Sequence, residues 1–313
     1  MKTIFVKIIF LSFCLIWFVS CNQDETVENA DNNSSELIIK TGLSHMTKSL
    51  KSGPVSDFPQ DSRLGLFITK GNLGDDYSSP DSRNVLSTLT WGVWEQNPAV
   101  NLYAHNATIF AYYPYNSAYL NGMEIPVQSD FTDYMYGTHT LGQAAINKDN
   151  QTVNLTMNHA LSLIQFNIYK TNYPWEGRLT SVRIENASGK SIVHYSGKLN
   201  IQTGEITDLS GTDRGIQINS SLLLIIPEDK SEGQKDNVQL LLIPTAKTSS
   251  PGDVIVTFEI DGKKFNWEIP AGTQWEQGTK NIYDVLLNGN ELRIGEVKIA
   301  DWIDGPGGEA LLE

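Results

Sequence analysis

Residues 254–269, VIVTFEIDGKKFNWEI, constrain the fold more than any other stretch of the chain. Apolar side chains recur at every second position on both sides of Asp261-Gly262, a pair suited to the left-handed backbone of a two-residue hairpin turn. A period of two puts one row of side chains on a buried face and the other in water, the pattern of a strand and not of a helix.

The same signature runs along the chain. Short runs rich in β-branched and aromatic residues occupy 36–43, 63–70, 85–94, 107–113, 122–128 and 153–169. They continue at 179–186, 197–201, 215–219, 222–227, 238–244, 281–287 and 292–302. Asn121-Gly122, Ser188-Gly189, Thr203-Gly204 and Asn288-Gly289 add turn signals between them. No window of a dozen residues keeps a helical period, and the best helical stretch, 141–146, offers one or two turns. The fold class is therefore all-β, built from sandwiches. Blocks 222–227 and 238–244 lack alternation, so both are expected as central strands with two covered faces. The polar stretch 140–152 places a domain boundary near 150, with an N-terminal β-sandwich over 36–150 and a C-terminal one over 151–313.

Ahead of the strands, Lys2 and Lys7 precede an apolar run at 8–19. It is too short to cross roughly 30 Å of hydrocarbon, which takes about 20 helical residues. It reads as a signal peptide, residues 1–20, and Phe18-Val19-Ser20-Cys21 resembles a lipobox, making Cys21 the lipidated first residue of the mature protein. Residues 21–35 carry few large apolar side chains and read as a flexible acidic tether, consistent with display on the outer face of an outer membrane.

Removing residues 1–20 takes away two lysines and no acid, so the formal charge of −13 becomes −15. Such a surface repels phosphate backbones, and nucleic acid is not an expected partner. Cys14 lies in the signal and Cys21 carries lipid, which leaves no thiol for a disulfide, a zinc-thiolate site or a nucleophile.

The five histidines, at 45, 105, 139, 159 and 194, form no pair at metal-ligand spacing, and His159 reads as a hydrogen-bonded core or interface imidazole. No G-x-S-x-G is present. The acidic pairs Asp75-Asp76 and Glu228-Asp229 lie in turn sequence and read as solvated loops. No catalytic residue, metal site or cofactor is expected. Six tryptophans remain in the mature chain: Trp91, Trp94, Trp175, Trp267, Trp275 and Trp302. Most alternate within strands and read as core. A competing reading, a glycan-binding lipoprotein of a polysaccharide-uptake system, would need Trp91, Trp94 or Trp275 to face solvent.

Several landmarks then stand in order: IFAYYPYN at 109–116, DYMYG at 133–137, VNLTMNHALSLIQFNI at 153–168, GKLNIQTGEIT at 197–207, Gly278-x-x-x-x-Tyr283 and VKIADW at 297–302. The series resembles the fimbrillin family of Bacteroidetes, the Mfa-like and FimA-like subunits of type V pili. The resemblance implies two tandem transthyretin-like β-sandwich domains, export as a lipoprotein and assembly into a surface fimbrium that supports adhesion. Its partners would be other pilus subunits, the outer membrane through Cys21, and a receptor. In that family a trypsin-like protease removes the lipidated N-terminus with the first strand, and a neighbour's strand fills the groove. Carried onto this chain, the displaced strand is 37–43, with Leu37, Ile38, Ile39 and Leu43, and the cut follows Lys48 or Lys51. Arg63 lies at the edge of the next strand. The donor strand is 297–303, with Val297, Ile299 and Trp302, or the tail GEALLE, although Gly305-Pro306-Gly307-Gly308 interrupts strand pairing after it.

Overall fold

The computed structural model describes residues 34–43, 58–78, 82–228 and 238–302. Among them lie twenty strands and no helix. The first ten are β1 (Ser35–Glu36), β2 (Ile38–Leu43), β3 (Arg63–Thr69), β4 (Val85–Thr90), β5 (Val93–Asn97), β6 (Asn101–Leu102), β7 (Thr108–Tyr113), β8 (Ile125–Gln128), β9 (Met135–His139) and β10 (Thr152–His159). The others are β11 (Ser162–Thr171), β12 (Arg178–Asn186), β13 (Ser196–Leu199), β14 (Ile206–Ser210), β15 (Ile216–Ile225), β16 (Val238–Leu242), β17 (Val254–Ile260), β18 (Lys263–Glu268), β19 (Thr279–Asn288) and β20 (Glu291–Asp301).

Alternation in sequence becomes alternation in burial. Every second side chain of β10 and β17 is buried. Asp261 and Gly262 both take positive φ, 48° and 73°, as the β17–β18 hairpin requires.

The N-terminal strands form one seven-stranded sheet in the order β2-β10-β9-β7-β3-β4-β5, in which only the β2–β10 pair is parallel. One face gathers Leu37, Ile39, Leu64, Leu66, Ile68, Trp94, Leu155 and Met157 into a core. On the other face the Tyr112 ring lies where a Cβ on Gly65 would stand, 2.0 Å from its nearest ring atom, so only glycine fits beneath it. His139 closes the β9 end, where its Nε2 accepts the Ile109 N–H at 2.9 Å. Burial holds the His139 pKa below its ordinary value, because charging the ring costs solvation. A lowered pKa means that the folded state favours the neutral ring. The stability it confers is complete above the unfolded value near 6.5 and is lost as pH falls below it. An NMR titration is expected to place the His139 midpoint below about 6.5, and His139→Phe is expected to flatten the dependence of stability on pH between about 7 and 5.

The C-terminal half stacks two four-stranded sheets, β16-β11-β19-β20 and β15-β12-β17-β18. Phe166, Phe258, Tyr283, Trp275 and Val256 fill the space between them. A three-stranded sheet, β14-β13-β8, accompanies them. A third core joins the halves: Phe67, Phe110 and Tyr112 from the first sheet, Ile125 and Val127 from β8, Leu163 and Leu241 from the sandwich, and Trp302.

Several local expectations change. The run 85–94 is two strands, β4 and the start of β5, turning at Trp91-Gly92, and 141–146 forms no helix. The run 153–169 is two strands: β10 ends at His159 in the first sheet and β11 starts at Ser162 in the sandwich. Ala160 and Leu161, the jog between them, are buried, and their backbone is paired through Ala160 N to Tyr134 O and Gly278 N to Leu161 O. An apolar jog leaves no mark in the hydropathy pattern. β10 lies past residue 150, yet it pairs with β2 and β9.

Blocks 222–227 and 238–244 are not central strands. β15 and β16 each stand at an edge of their sheets, and 215–219 and 222–227 merge into β15 across an irregular register opposite Leu179 and Ser181. β16 is nevertheless buried on both faces, because Val238, Leu240 and Leu242 enter the sandwich core while Leu241 and Ile243 enter the third core. In β15 the two faces are not both covered, since Leu222 and Ile225 are exposed, so missing alternation reports neither position within the sheet nor, by itself, burial of both faces.

Candidate functional site

Near each end of the described chain lies an edge strand, β2 after the short β1 that pairs with β6, and β20, and each has its own geometry. β2 lies at one end of the seven-stranded order and is held by a single parallel ladder, from Ile38 opposite Thr152 to Leu43 opposite Met157. Just before it, Leu37 N–H donates to Val100 O at 2.9 Å. Leu37, Ile39 and Leu43 are buried in the first core, while Ile38 faces outward and is 40% exposed.

The sheet curls until its two ends meet. The Trp94 indole of β5 donates to Thr41 Oγ1 of β2 at 3.2 Å, and a cavity of about 500 Å³ opens beside them, lined by Ile39, Phe58, Leu89 and Trp94. β2 and β5 share no ladder, so side chains close the seam along β2 itself, while just before it the backbone is tied by the short β1–β6 ladder and the Leu37–Val100 bond. Taking β2 away would uncover the β10 edge and an apolar trough where three large side chains had been buried, each worth roughly 1.5–3 kcal/mol.

At the other end, β20 pairs with β19 along its length and leaves its outer edge without a strand partner among the described residues. Val297 stands opposite Tyr283 and Ile299 opposite Asn281, so both share a face with residues that point into the sandwich. Tyr283 and Asn281 are buried, yet Val297 is 43% and Ile299 65% exposed. The inner face is therefore uncovered here, and a groove of about 400 Å³ runs past Val297, Ile299, Thr279, Asn281 and Lys247.

Trp302 clamps the end of β20. Its ring stacks on His159, with centroids 3.6 Å apart and planes 7° from parallel, and the Trp302 backbone N–H donates to Gly278 O at 3.0 Å. His159 Nδ1 lies 2.8 Å from Asp133 Oδ1, with both side chains buried. Burial pushes the Asp133 carboxyl above its ordinary pKa, and the neighbouring imidazole opposes that shift. The last strand is thus latched onto the last residue of β10 by a stacked ring and a buried polar pair. The sequence gives no hint of this latch, since His159 and Trp302 are far apart in the chain.

Cys21, Lys48 and Lys51 lie outside the described residues. Arg63 opens β3, where it sits opposite Thr88 and its carbonyl accepts from Tyr115 N at 3.0 Å. A protease needs extended, accessible backbone, which Arg63 does not offer. Of the three tryptophans considered for a glycan platform, Trp94 and Trp275 are buried, and Trp275 donates to Tyr283 Oη at 2.8 Å. Trp91 is 90% exposed at the β4–β5 hairpin tip. No group of three or more metal-ligating side chains gathers among the described residues.

These features define a class: an all-β protein whose accessible chemistry lies in strand edges and apolar grooves. The fimbrillin-like family profile matches residues 55–302, and the chain belongs to that family. No curated protein matches it. Among solved structures, a candidate cell adhesion protein of Bacteroides uniformis superimposes with a TM-score of 0.63 at 17% identity, covering 86% of this chain and 99% of that one. A candidate cell adhesion protein of Bacteroides ovatus gives a TM-score of 0.59 at 16% identity, covering 86% and 98%. At such identities the likeness establishes the shared fold.

Proposed function

We propose that this protein is a non-catalytic structural subunit of a cell-surface type V fimbria, exported as a lipoprotein on Cys21 and assembled by donor-strand exchange. The observation that carries this reading is β2, an edge strand of six residues held by one ladder, which with Leu37 just before it buries Leu37, Ile39 and Leu43 in a trough that an incoming strand could refill. Cleavage after Lys48 or Lys51 would separate β2 from β3 in sequence while leaving β3 to β20 on one continuous chain. The family match begins at residue 55, just past both lysines.

The donor is the β20 region, with Val297 and Ile299 as the apolar teeth and Trp302 as the latch to be released. We read the chain as two tandem transthyretin-like domains and draw their division after His159, where β10 leaves the first sheet. Partners are neighbouring pilus subunits, the outer membrane through the lipid, and an adhesion receptor at the cell surface.

Ile299→Lys tests the role of the β20 edge. The side chain is largely exposed, so the monomer should lose no more than about 0.5 kcal/mol. Assembly should be blocked, because a charge would have to enter an apolar groove. Size-exclusion chromatography of processed subunits reads the outcome, and unimpaired polymer formation by Ile299→Lys would remove β20 from the mechanism.

A further inference from the structure

A third cavity, of about 270 Å³, is lined by Asp130, Phe131, Arg183, Tyr195, Arg214 and Gln217, and its chemistry differs from that of the strand edges. The turn carrying Arg214 is pinned where Asn186 Nδ2 donates to Thr212 O at 2.9 Å. The Arg214 guanidinium lies over the Tyr195 ring, 3.6 Å from its centroid. Arg183 backs it: its Nη2 donates to Arg214 O at 3.2 Å, its Nη1 to Gln217 Oε1 at 3.1 Å, and its Nε to Glu185 Oε2 at 2.7 Å. Gly215 has φ of 62°, and a Cβ there would stand 2.9 Å from Arg183 Nη2, so glycine keeps that guanidinium in place.

The two arginines are not equivalent. Arg183 is neutralised by Glu185, whereas Arg214 has no carboxylate partner among the described residues. In a chain of net charge −13, a cation that is oriented by a ring and left unpaired is poised for an anion from outside. Phe131, 45% exposed, adds an apolar face to the same pocket. Asp130, whose Oδ1 accepts from Thr132 N–H at 2.7 Å, adds a negative acceptor.

We propose that this pocket binds a carboxylate-bearing sugar residue. The carboxylate would pair with Arg214, the C–H face of the ring would lie on Phe131, and hydroxyls would donate to Asp130. Asp130 disfavours a bare multivalent anion such as sulfate, which at neutral pH offers no hydroxyl to repay the repulsion. A volume near the low end of the roughly 300–1,000 Å³ of ligand pockets suits one sugar ring. The site stands apart from assembly, since none of its residues belongs to β2 or β20.

The test titrates the lipid-free mature chain, from residue 22 to the end, with N-acetylneuraminic acid, D-glucuronic acid and D-glucose, followed by backbone amide NMR. At least one acid should give saturable shifts centred on Phe131 and Arg214, weakening with added salt, while glucose gives none. Arg214→Ala should weaken that binding about tenfold or more, and Arg214→Lys should recover only part of it because lysine lacks the planar fork. Absence of saturable shifts with both acids, an equal response to glucose, or an affinity unchanged by Arg214→Ala would each overturn the proposal.

Discussion

Trp302→Ala is expected to destabilise the protein by about 3–5 kcal/mol, the range for removing a large buried aromatic ring. The ring is buried in the core that joins the two halves, and it covers one face of His159. Without it, water gains access to a polar pair that was buried with Asp133, and the end of β20 loses its one side-chain anchor in that core. Urea unfolding gives the total. Hydrogen exchange locates it, because protection should fall most along β19 and β20, from residue 279 to residue 301, and least in β2. Trp302→Phe, which keeps a ring on His159, should recover part of the loss. A cost below about 1 kcal/mol, the size of an ordinary substitution, would mean that no latch exists.

The second large effect concerns β2. Leu37→Ala and Ile39→Ala should each cost about 2–5 kcal/mol. The double variant should cost less than their sum. Both side chains act through one short strand, and once that strand detaches further deletions remove nothing more. The ceiling reached in this way measures what holds β2 in place. Amides of Thr152–His159, which lose a neighbouring strand, should exchange faster, while the β17–β18 hairpin stays protected. Additive losses that unfold the sandwich together with the first sheet would show that β2 is not a separable unit.

The chain pattern made the all-β class and most strand positions legible, because alternation and turn pairs are local signals. Asp261-Gly262 did so most clearly, through a dipeptide whose backbone preference is strong enough to act alone. Three kinds of feature stayed hidden for physical reasons. The jog at Ala160-Leu161 is apolar like the strands it joins, so the passage from one sheet to the other is silent in sequence. The edge positions of β15 and β16 depend on long-range pairing. The stack of Trp302 on His159 and the placing of Arg214 over Tyr195 arise only when distant segments meet. The assignment of 37–43 and 297–303 as displaced and donor strands is a proposal that rests on family resemblance. Their exposure and burial, with Leu37, Ile39 and Leu43 inside and Val297 and Ile299 partly outside, come from the fold.

If subunits assemble by losing β2, the N-terminus of the polymer records the loss. Fimbriae sheared from the cell surface can be separated by size and their subunits read by intact-mass spectrometry. Polymeric subunits should begin at Ser49 or Ser52, and a Lys48→Gln/Lys51→Gln variant should stay monomeric and keep residues 37–43. Polymer whose subunits still begin at lipidated Cys21, with the β2 segment attached, would contradict assembly by loss of β2.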